Sequence, residues 1–259
     1  MNIVVFLKMV PDVVEELKIS INGKTLDSDW LRYKLSECDE HAVEEAVILK
    51  EKFGGTVTVV ALDAPEADEA FYIALAKGAD KAVRIVGDWQ EKRSPAIAEI
   101  YSRYLKDAGL IDNQTIILSG SQAIDDLEGE MVYYLAEILN LPVFGVITHV
   151  HYEPGTNTIS VIKEFSGGIR GEFYTELPAV LGIQAAEHPP RYIPIAKIRN
   201  MMKTACIEEI EIPDDGLPPV VDISGLFEPE AMGKAEMIEG TNDEIAQRII
   251  NIFTEKGII

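Results

Sequence analysis

The chain has 259 residues, of which 47 % are hydrophobic, so it can bury the core of one large domain or of one domain with appendages. Its formal charge of −21, from 44 acidic and 23 basic residues, argues against binding to nucleic acid or to an anionic membrane, because phosphate contacts need basic stripes. No apolar run approaches the roughly 18 residues of a membrane-spanning helix, and the two cysteines, Cys38 and Cys206, lie far apart and are expected to be reduced.

The N-terminal region predicts a strand followed by an irregular segment. Residues 2–7 form the expected first strand, which is apolar from Ile3 to Leu7. Met9-Val10-Pro11-Asp12 should break this strand and place Asp12 in a loop, since proline cannot donate a ladder hydrogen bond. The pair Asn22-Gly23 predicts a type I′ turn between two short strands. Because the chain enters a strand at once, without the basic start or cleavage site of a signal peptide, we expect a cytoplasmic protein.

From residue 39 to residue 147, apolar strands alternate with helical patterns. On the first helix, Glu44 and Glu45 are expected to form the solvent-exposed face. This alternation predicts a doubly wound, mostly parallel sheet with right-handed crossovers. The predicted helices are 39–50, 65–77, 95–108 and one that starts near Leu127, and the predicted strands are 57–62, 82–86, 115–118 and 142–147.

The run from Thr115 to Asp126 is the most informative stretch. A strand of the kind that is buried on both faces leads into Ser119-Gly120-Ser121, where a small residue lets the backbone turn sharply or approach a ligand. In open α/β sheets, ligands bind outside the carboxyl ends of the strands, and the free N–H groups of a helix start favour phosphate. A turn without a ligand explains the same pattern, so the run alone leaves both interpretations open.

Beyond residue 147 the pattern changes to the alternation that is typical of antiparallel strands. Two alternating segments, 148–153 and 158–165, flank a turn, and further strands are predicted at 169–175 and 178–183. We expect these strands to add an antiparallel edge to the sheet over residues 148–183.

The remaining residues predict a loop and an arm. Residues 187–203 form a Pro-rich loop with a short helix. The last helix, 243–256, carries an apolar face that it cannot bury alone. It must fold back on the domain or cover a partner, and we expect a partner. The predicted organisation is therefore an α/β domain at 1–206, with its parallel core at 1–147, followed by a C-terminal arm at 207–259.

No catalytic residue and no metal ligand is predicted. His149 and His151 lie two residues apart on a strand, but no Cys, Asp or Glu converges on them at ligand spacing. The motifs of serine hydrolases, P-loop proteins and zinc peptidases are absent from the sequence.

Several segments between residue 1 and about residue 205 are informative together. They are 4–12, 39–46, 74–80, 120–126, 163–168, 177–180 and 190–192. The most specific are Gln122-Ala123-Ile124-Asp125 and Pro190-Arg191-Tyr192. In this order the segments resemble the β subunit of electron transfer flavoproteins.

The resemblance implies an adenine-nucleotide α-hydrolase-like fold and a heterodimer with an α subunit that carries FAD. Such a heterodimer moves electrons between dehydrogenases and a quinone-linked or other acceptor. The β subunit holds AMP, or a second FAD in electron-bifurcating members. The positions that match the nucleotide site are Met9, Ser36, Cys38, Asp39, Leu62, Gly120, Ser121, Gln122, Ala123, Ile124, Asp125, Asp126, Gly129 and Met131.

The resemblance also implies two further sets of residues. Lys163 aligns with a basic residue, often Arg, near the FAD that is shared with the α subunit. The loop 187–203 matches the segment that contacts partner dehydrogenases, with Arg191, Tyr192 and Ile195 as the expected contacts.

Four positions depart from the family pattern, and they leave AMP and a second FAD as open alternatives. Leu127-Glu128-Gly129-Glu130 stands where small or polar residues are usual, and its two carboxylates compete with a phosphate at a helix start. Ser36-Glu37 replaces Asn-Pro, Lys163 lacks the bidentate fork of Arg, and Ser166 replaces an acidic residue.

Two other functions remain as alternatives. A stand-alone nucleotide-binding protein of the universal-stress type has no use for residues 207–259. An adenylating ligase of the same fold needs a pyrophosphate-binding Ser-Gly-Gly-x-Asp-Ser loop after the first strand. That position reads Met9-Val10-Pro11-Asp12 here, which argues against the ligase.

Overall fold

A computed structural model describes residues 1–29, 31–89, 92–218, 223–229 and 235–259 of the chain. The strands are β1 (Asn2–Leu7), β2 (Met9–Pro11), β3 (Tyr33–Leu35), β4 (Thr56–Leu62), β5 (Lys81–Val86), β6 (Thr115–Gly120), β7 (Val143–Glu153), β8 (Thr158–Glu164), β9 (Arg170–Glu176), β10 (Ala179–Ile183) and β11 (Ile207–Glu211). The helices are α1 (Glu37–Phe53), α2 (Ala67–Lys77), α3 (Ser94–Asp107), α4 (Met131–Leu139), α5 (Ile195–Thr204) and α6 (Asn242–Glu255).

The main sheet has nine strands in the order β11-β5-β4-β1-β6-β10-β7-β8-β9. Every pairing from β11 to β7 is parallel, and β8 and β9 extend the sheet in antiparallel fashion. The central strands β1, β4 and β6 are almost wholly buried, as continuous β-branched runs require in a sheet covered on both faces. The predicted mostly parallel α/β fold with an antiparallel extension is confirmed.

Helices cover the sheet on both faces. The apolar side chains of α1 and α2 pack on one face, around Val43 and Phe71. Those of α3 and α4 pack on the other, around Ile100 and Leu135. This two-sided packing is the doubly wound arrangement that the alternating pattern predicts. No helix among the described residues is long and apolar enough to cross a membrane.

The strand predicted at 178–183 does not belong to the antiparallel edge. Strand β10 lies parallel between β6 and β7, well inside the sheet. All five of its residues are buried and apolar, so they need a strand on each side and helices on both faces. An edge position would leave part of this surface in water.

Three local predictions also need correction. Residues 9–11 were expected to break the strand pattern, but they form the short strand β2, whose last residue, Pro11, pairs with Tyr33 of β3. Helix α4 begins at Met131 rather than near Leu127, because Leu127 (φ 56°) and Gly129 (φ 63°) adopt left-handed backbone angles that an α-helix cannot contain. Residues 207–211, assigned to the arm, form β11 and extend the sheet beside β5.

The carboxylates of Glu44 and Glu45 are not on a solvent-exposed face. Their residues are only 2 % and 1 % exposed, because a sequence-distant segment before α5 packs against α1. By contrast, α6 buries none of its residues within the described structure, and its apolar side chains Ile249, Ile250 and Phe253 are exposed. Its N-terminus is fixed by a capping box between Thr241 and Glu244.

Candidate functional site

A cavity of about 500 Å³ opens at the carboxyl ends of β1, β4 and β6. This is the edge of the sheet where open α/β folds bind ligands, and the volume suits a small organic molecule. The predicted nucleotide-site residues that line it are Met9, Ser36, Asp39, Leu62, Gly120, Ser121, Gln122, Ala123, Asp125, Asp126, Gly129 and Met131. Cys38 and Ile124 do not line the cavity, although both are neighbours in sequence of residues that do.

Asp39 joins the ends of two central strands beneath this cavity. Its Oδ1 accepts hydrogen bonds from the Gly120 N–H at 2.5 Å and the Ser119 hydroxyl at 3.4 Å, and its Oδ2 accepts from the Lys8 N–H at 2.9 Å. Burial raises the pKa of Asp39 to about 6, against the opposing effect of these hydrogen bonds. One side chain of α1 thus holds the end of β1 at a fixed distance from the end of β6.

Gly120 is the residue that permits this contact. A Cβ atom at position 120 would lie 2.7 Å from Asp39 Oδ1 and 2.7 Å from the Cβ of Cys38. Cys38 therefore affects the site through packing, and burial raises the pKa of its thiol. The small residue that the sequence singled out at the strand end is needed for the close approach of α1 to β6.

The loop between β6 and α4 crosses one side of the cavity and is tied at both ends. The Lys8 ammonium lies 2.8 Å from Asp125 Oδ1 and 2.5 Å from Asp126 Oδ2. Burial lowers the pKa of Lys8, but the charges and hydrogen bonds of these two carboxylates outweigh it and raise the pKa overall. On the other side, the Ser94 hydroxyl donates to Glu128 at 2.6 Å.

The sequence-based prediction missed the second wall of the cavity, which comes from β1, the β5–α3 connection and α3. These lining residues include Phe6, Lys8, Trp89, Lys92, Arg93, Ser94 and Tyr101. Phe6 and Tyr101 stack with ring centroids 3.9 Å apart. The position of Lys8 directly before Met9 was a signal that could have been used. The residues after β5 carry no motif, and only the strand order brings them beside β1 and β6.

Two cations of this second wall, Lys92 and Arg93, differ from Lys8 in having no carboxylate partner among the described residues. Lys92 and Arg93 line the cavity, are half-buried, and have no side-chain hydrogen bond or ion pair within the described residues. The first turn of α3 contains no acidic residue. In a chain with a net charge of −21, two cations at a helix start that have no carboxylate partner within the described ranges are a favourable place for an anionic group.

Lys163 lies outside this cavity, on β8. Its ammonium donates to the Gly145 carbonyl at 2.6 Å and stands 5.6 Å from the centre of the Phe165 ring. Gly145 precedes Val146, which has a left-handed backbone (φ 61°) in the irregular part of β7. Lys163 is therefore held in a defined position next to an exposed aromatic side chain.

The three residues predicted to contact a partner differ in their surroundings. Tyr192 and Ile195 are 83 % and 62 % exposed. Arg191 is instead bonded to Glu44 and Glu51 of α1. Within the described ranges, no group of three or more His, Cys, Asp or Glu side chains could hold a metal ion.

Comparison with known proteins identifies the family. The electron transfer flavoprotein subunit beta of Methylophilus methylotrophus is 32 % identical to this chain over 265 residues, covering 98 % of each protein. The corresponding subunit of Bacillus subtilis is 30 % identical over 264 residues, covering 99 % of each. A family profile described as "Electron transfer flavoprotein domain" matches residues 25–215. The chain belongs to the electron transfer flavoprotein β-subunit family.

Membership of the electron transfer flavoprotein β-subunit family confirms the resemblance that rested on seven short segments. The similarity extends to a mitochondrial electron transfer flavoprotein subunit beta of Oryza sativa, which is 27 % identical and is covered over 98 % of its length. These matches include nearly all of this chain, so the C-terminal arm is part of the shared length.

Proposed function

We propose that this chain is the β subunit of an FAD-containing heterodimer that carries electrons between dehydrogenases and a quinone-linked or other acceptor. The observation that carries the proposal is the cavity at the carboxyl ends of β1, β4 and β6 in a chain of this family. The sequence-based expectation of a cytoplasmic location is part of the same proposal. The protein supplies position and electrostatics, and the flavin supplies the redox chemistry when it is bound.

An adenine nucleotide fits the cavity chemically. Its apolar wall, with Leu62, Trp89 and Tyr101, suits a flat ring, and its small-residue loop at 119–121 lets the ligand approach the backbone. Asp125 and Asp126 share the ammonium of Lys8, which offsets one of their two negative charges, so they repel a phosphate less than their sequence suggests. Glu128 is bound by Ser94, which leaves Glu130 as the lining carboxylate at the start of α4 without a cation in the described residues.

Lys92 and Arg93 are proposed to receive the anionic group of this nucleotide. Replacing both by Ala is expected to weaken AMP binding by about tenfold or more, since a charge-assisted hydrogen bond contributes about 1.5–3 kcal/mol and 1.4 kcal/mol is tenfold. Titration with AMP, followed by calorimetry or by the fluorescence of Trp89, measures the change. Arg199→Ala, an exposed cation on α5, is the matched control, and equal affinities of the double variant and the wild type would refute the assignment.

The second proposed cofactor position is one wall of an FAD shared with the α subunit. Residues 163–168 lie on a part of the sheet where Phe165 and Ile169 are exposed. The hydrogen bond from Lys163 to Gly145 fixes an ammonium there. A fixed positive charge favours the reduced, more negatively charged flavin.

Lys163→Ala is therefore expected to lower the reduction potential of the flavin in the assembled heterodimer. For a two-electron couple, each loss of about 1.4 kcal/mol of stabilisation corresponds to about 30 mV. Spectroelectrochemical titration measures the potential, with Lys197→Ala on α5 as the control for the loss of one charge. An unchanged potential at equal flavin content would show that Lys163 does not face the cofactor.

The C-terminal arm supports the assignment of a partner subunit. The exposed side chains of α6, with those of Ile258 and Ile259, form an apolar face that nothing in the described structure covers. Apolar faces of this kind usually mark protein–protein contacts. We propose that the part of the C-terminal arm that follows β11 embraces the α subunit.

Co-expression with the α subunit, followed by counting of bound cofactors, tests the whole proposal. One FAD and one AMP per heterodimer would support the ordinary electron carrier. Two FAD molecules would support the electron-bifurcating alternative, in which the cavity of this chain holds the second flavin. A chain that is yellow, redox-active and complete without any second subunit would contradict both.

A further inference from the structure

The segment that leads from β10 to α5 is fixed to α1 by its backbone, although it has no regular structure. The Ala186 N–H donates to His41 Nδ1 at 3.1 Å, and the Glu187 N–H donates to Glu45 Oε2 at 2.9 Å. The other oxygen of Glu45 accepts from the Val150 N–H at 3.0 Å, which ties the same carboxylate to β7. Side chains of α1 thus replace the partners that a strand or helix would give this segment.

Arg191, further along this segment, makes more hydrogen bonds to α1 than the residues before it. Its N–H and its Nε both donate to Glu44, at 2.9 and 2.8 Å. Its two terminal nitrogens form a bidentate pair with Glu51, at 2.7 and 3.0 Å. Glu44 and Glu51 lie seven residues apart on one face of α1, so a single guanidinium spans two turns of the helix.

Burial explains why this arrangement holds its geometry. Glu44 is 2 % exposed, and a buried carboxylate has to be paired and hydrogen-bonded. Both of its oxygens are bonded to Arg191, so the position of residue 191 is fixed from the main chain and the side chain together. Three of the five N–H groups of this guanidinium are bonded to Glu44 and Glu51, so most of its donors are directed at α1.

Two exposed residues, Tyr192 and Ile195, follow closely after Arg191. Tyr192 is the next residue along the chain, and Ile195 begins α5 three residues later. Their side chains point into solvent from a segment whose preceding backbone cannot shift without breaking the bonds to α1.

We propose that Arg191 is a positioning residue that holds Tyr192 and Ile195 in place through Glu44 and Glu51, rather than a residue that contacts the partner dehydrogenase. The proposal rests on the proposed function in taking residues 187–203 as the surface that partners recognise. It differs from the expectation drawn from sequence, in which Arg191 itself was a contact.

Amide hydrogen exchange of the full chain, with no dehydrogenase present, tests this assignment. Arg191→Lys keeps the positive charge but loses the planar guanidinium that bonds to two carboxylates at once. Amides in peptides covering 185–193 are therefore expected to exchange about tenfold faster. Arg199→Lys, an exposed substitution on α5, is the matched control and should leave the same amides unchanged. If Arg191 served only a partner, Arg191→Lys would leave the exchange in the absence of that partner unaltered.

A double-mutant cycle with Glu51→Gln separates positioning from a general loss of stability. Glu51 is largely exposed, so this variant should fold and still accelerate exchange of the 185–193 amides. Because the two residues act through one contact, the double variant should exchange about as fast as Arg191→Lys alone. Strictly additive effects, or acceleration spread evenly over peptides of the sheet, would overturn the proposal. The result does not depend on cofactor content, so it stands apart from a failure of the electron-carrier assignment.

Discussion

Gly120→Ala is expected to destabilise the protein by about 3 kcal/mol and to abolish nucleotide binding. The added methyl group would meet Asp39 Oδ1 and the Cβ of Cys38 at 2.7 Å, and the Asp39 N–H nitrogen at 2.9 Å. The Cβ of Cys38 and the nitrogen of Asp39 move only with the backbone, and Asp39 Oδ1 is buried and hydrogen-bonded, so α1 has to move away from β6. Overpacking of a tight contact usually costs about 1–3 kcal/mol, and the loss of the Gly120–Asp39 hydrogen bond adds to it.

Chemical denaturation measures the stability of this variant, and titration with AMP measures its binding. Gly225→Ala is a suitable control, because a Cβ at that position would make an ordinary contact of 3.8 Å with the Gly23 carbonyl. A Gly120→Ala protein with wild-type stability would show that the approach of α1 to β6 is looser than the structure indicates.

Asp39 is expected to make the stability of the protein fall as the pH rises from 4 to 7, relative to Asp39→Asn. The folded-state pKa of about 6 exceeds the ordinary value of 3.8, because the carboxylate is buried. Below pH 3.8 the group is protonated in both states. Between pH 3.8 and pH 6, Asp39 ionises in the unfolded chain before it does in the folded one, so a rise in pH favours the unfolded state. Above pH 6 the difference in unfolding free energy between the wild type and Asp39→Asn is constant.

The size of this effect follows from the shift in pKa. A shift of one pKa unit is worth 1.36 kcal/mol, so the wild type should lose about 3 kcal/mol of stability relative to Asp39→Asn over this range. Urea denaturation of both proteins at intervals of half a pH unit measures the difference, in which the other carboxylates cancel. Asp107→Asn, at the exposed end of α3, is the control for the loss of one carboxylate. A wild-type advantage that grows with pH would mean that the bonds from Lys8 and Gly120 outweigh burial.

Much of the fold follows from local sequence patterns. The strands β1, β4, β5 and β6 and the helices α1, α2, α3 and α6 begin and end within about three residues of their predicted bounds. Each is encoded by its own side chains, through β-branched runs for the buried strands and amphipathic spacing for the helices. The start of α4 was missed because Leu127 and Gly129 take left-handed backbone angles that hydrophobic spacing does not reveal.

The candidate site also has a part that local sequence patterns predicted and a part that they did not. The loop after β6 was found because its small residues and the helix after it form a local signal. The opposing wall with Trp89, Lys92 and Arg93 was not found, since no motif marks it and its place depends on the strand order. Lys8 was overlooked although it adjoins a predicted site residue, and its pairing with Asp125 spans more than a hundred residues.

The sequence by itself determined the parallel α/β class, the family and the edge of the sheet at which the cavity opens, because short segments encode each of these. Only the tertiary structure decided that β10 lies inside the sheet, that Glu44 and Glu45 are buried, and that Arg191 is bonded within its own chain. Each of these depends on contact between segments far apart in sequence. A carboxylate on a helix looks solvated until the segment that covers it is known, and burial then determines which charges must be paired.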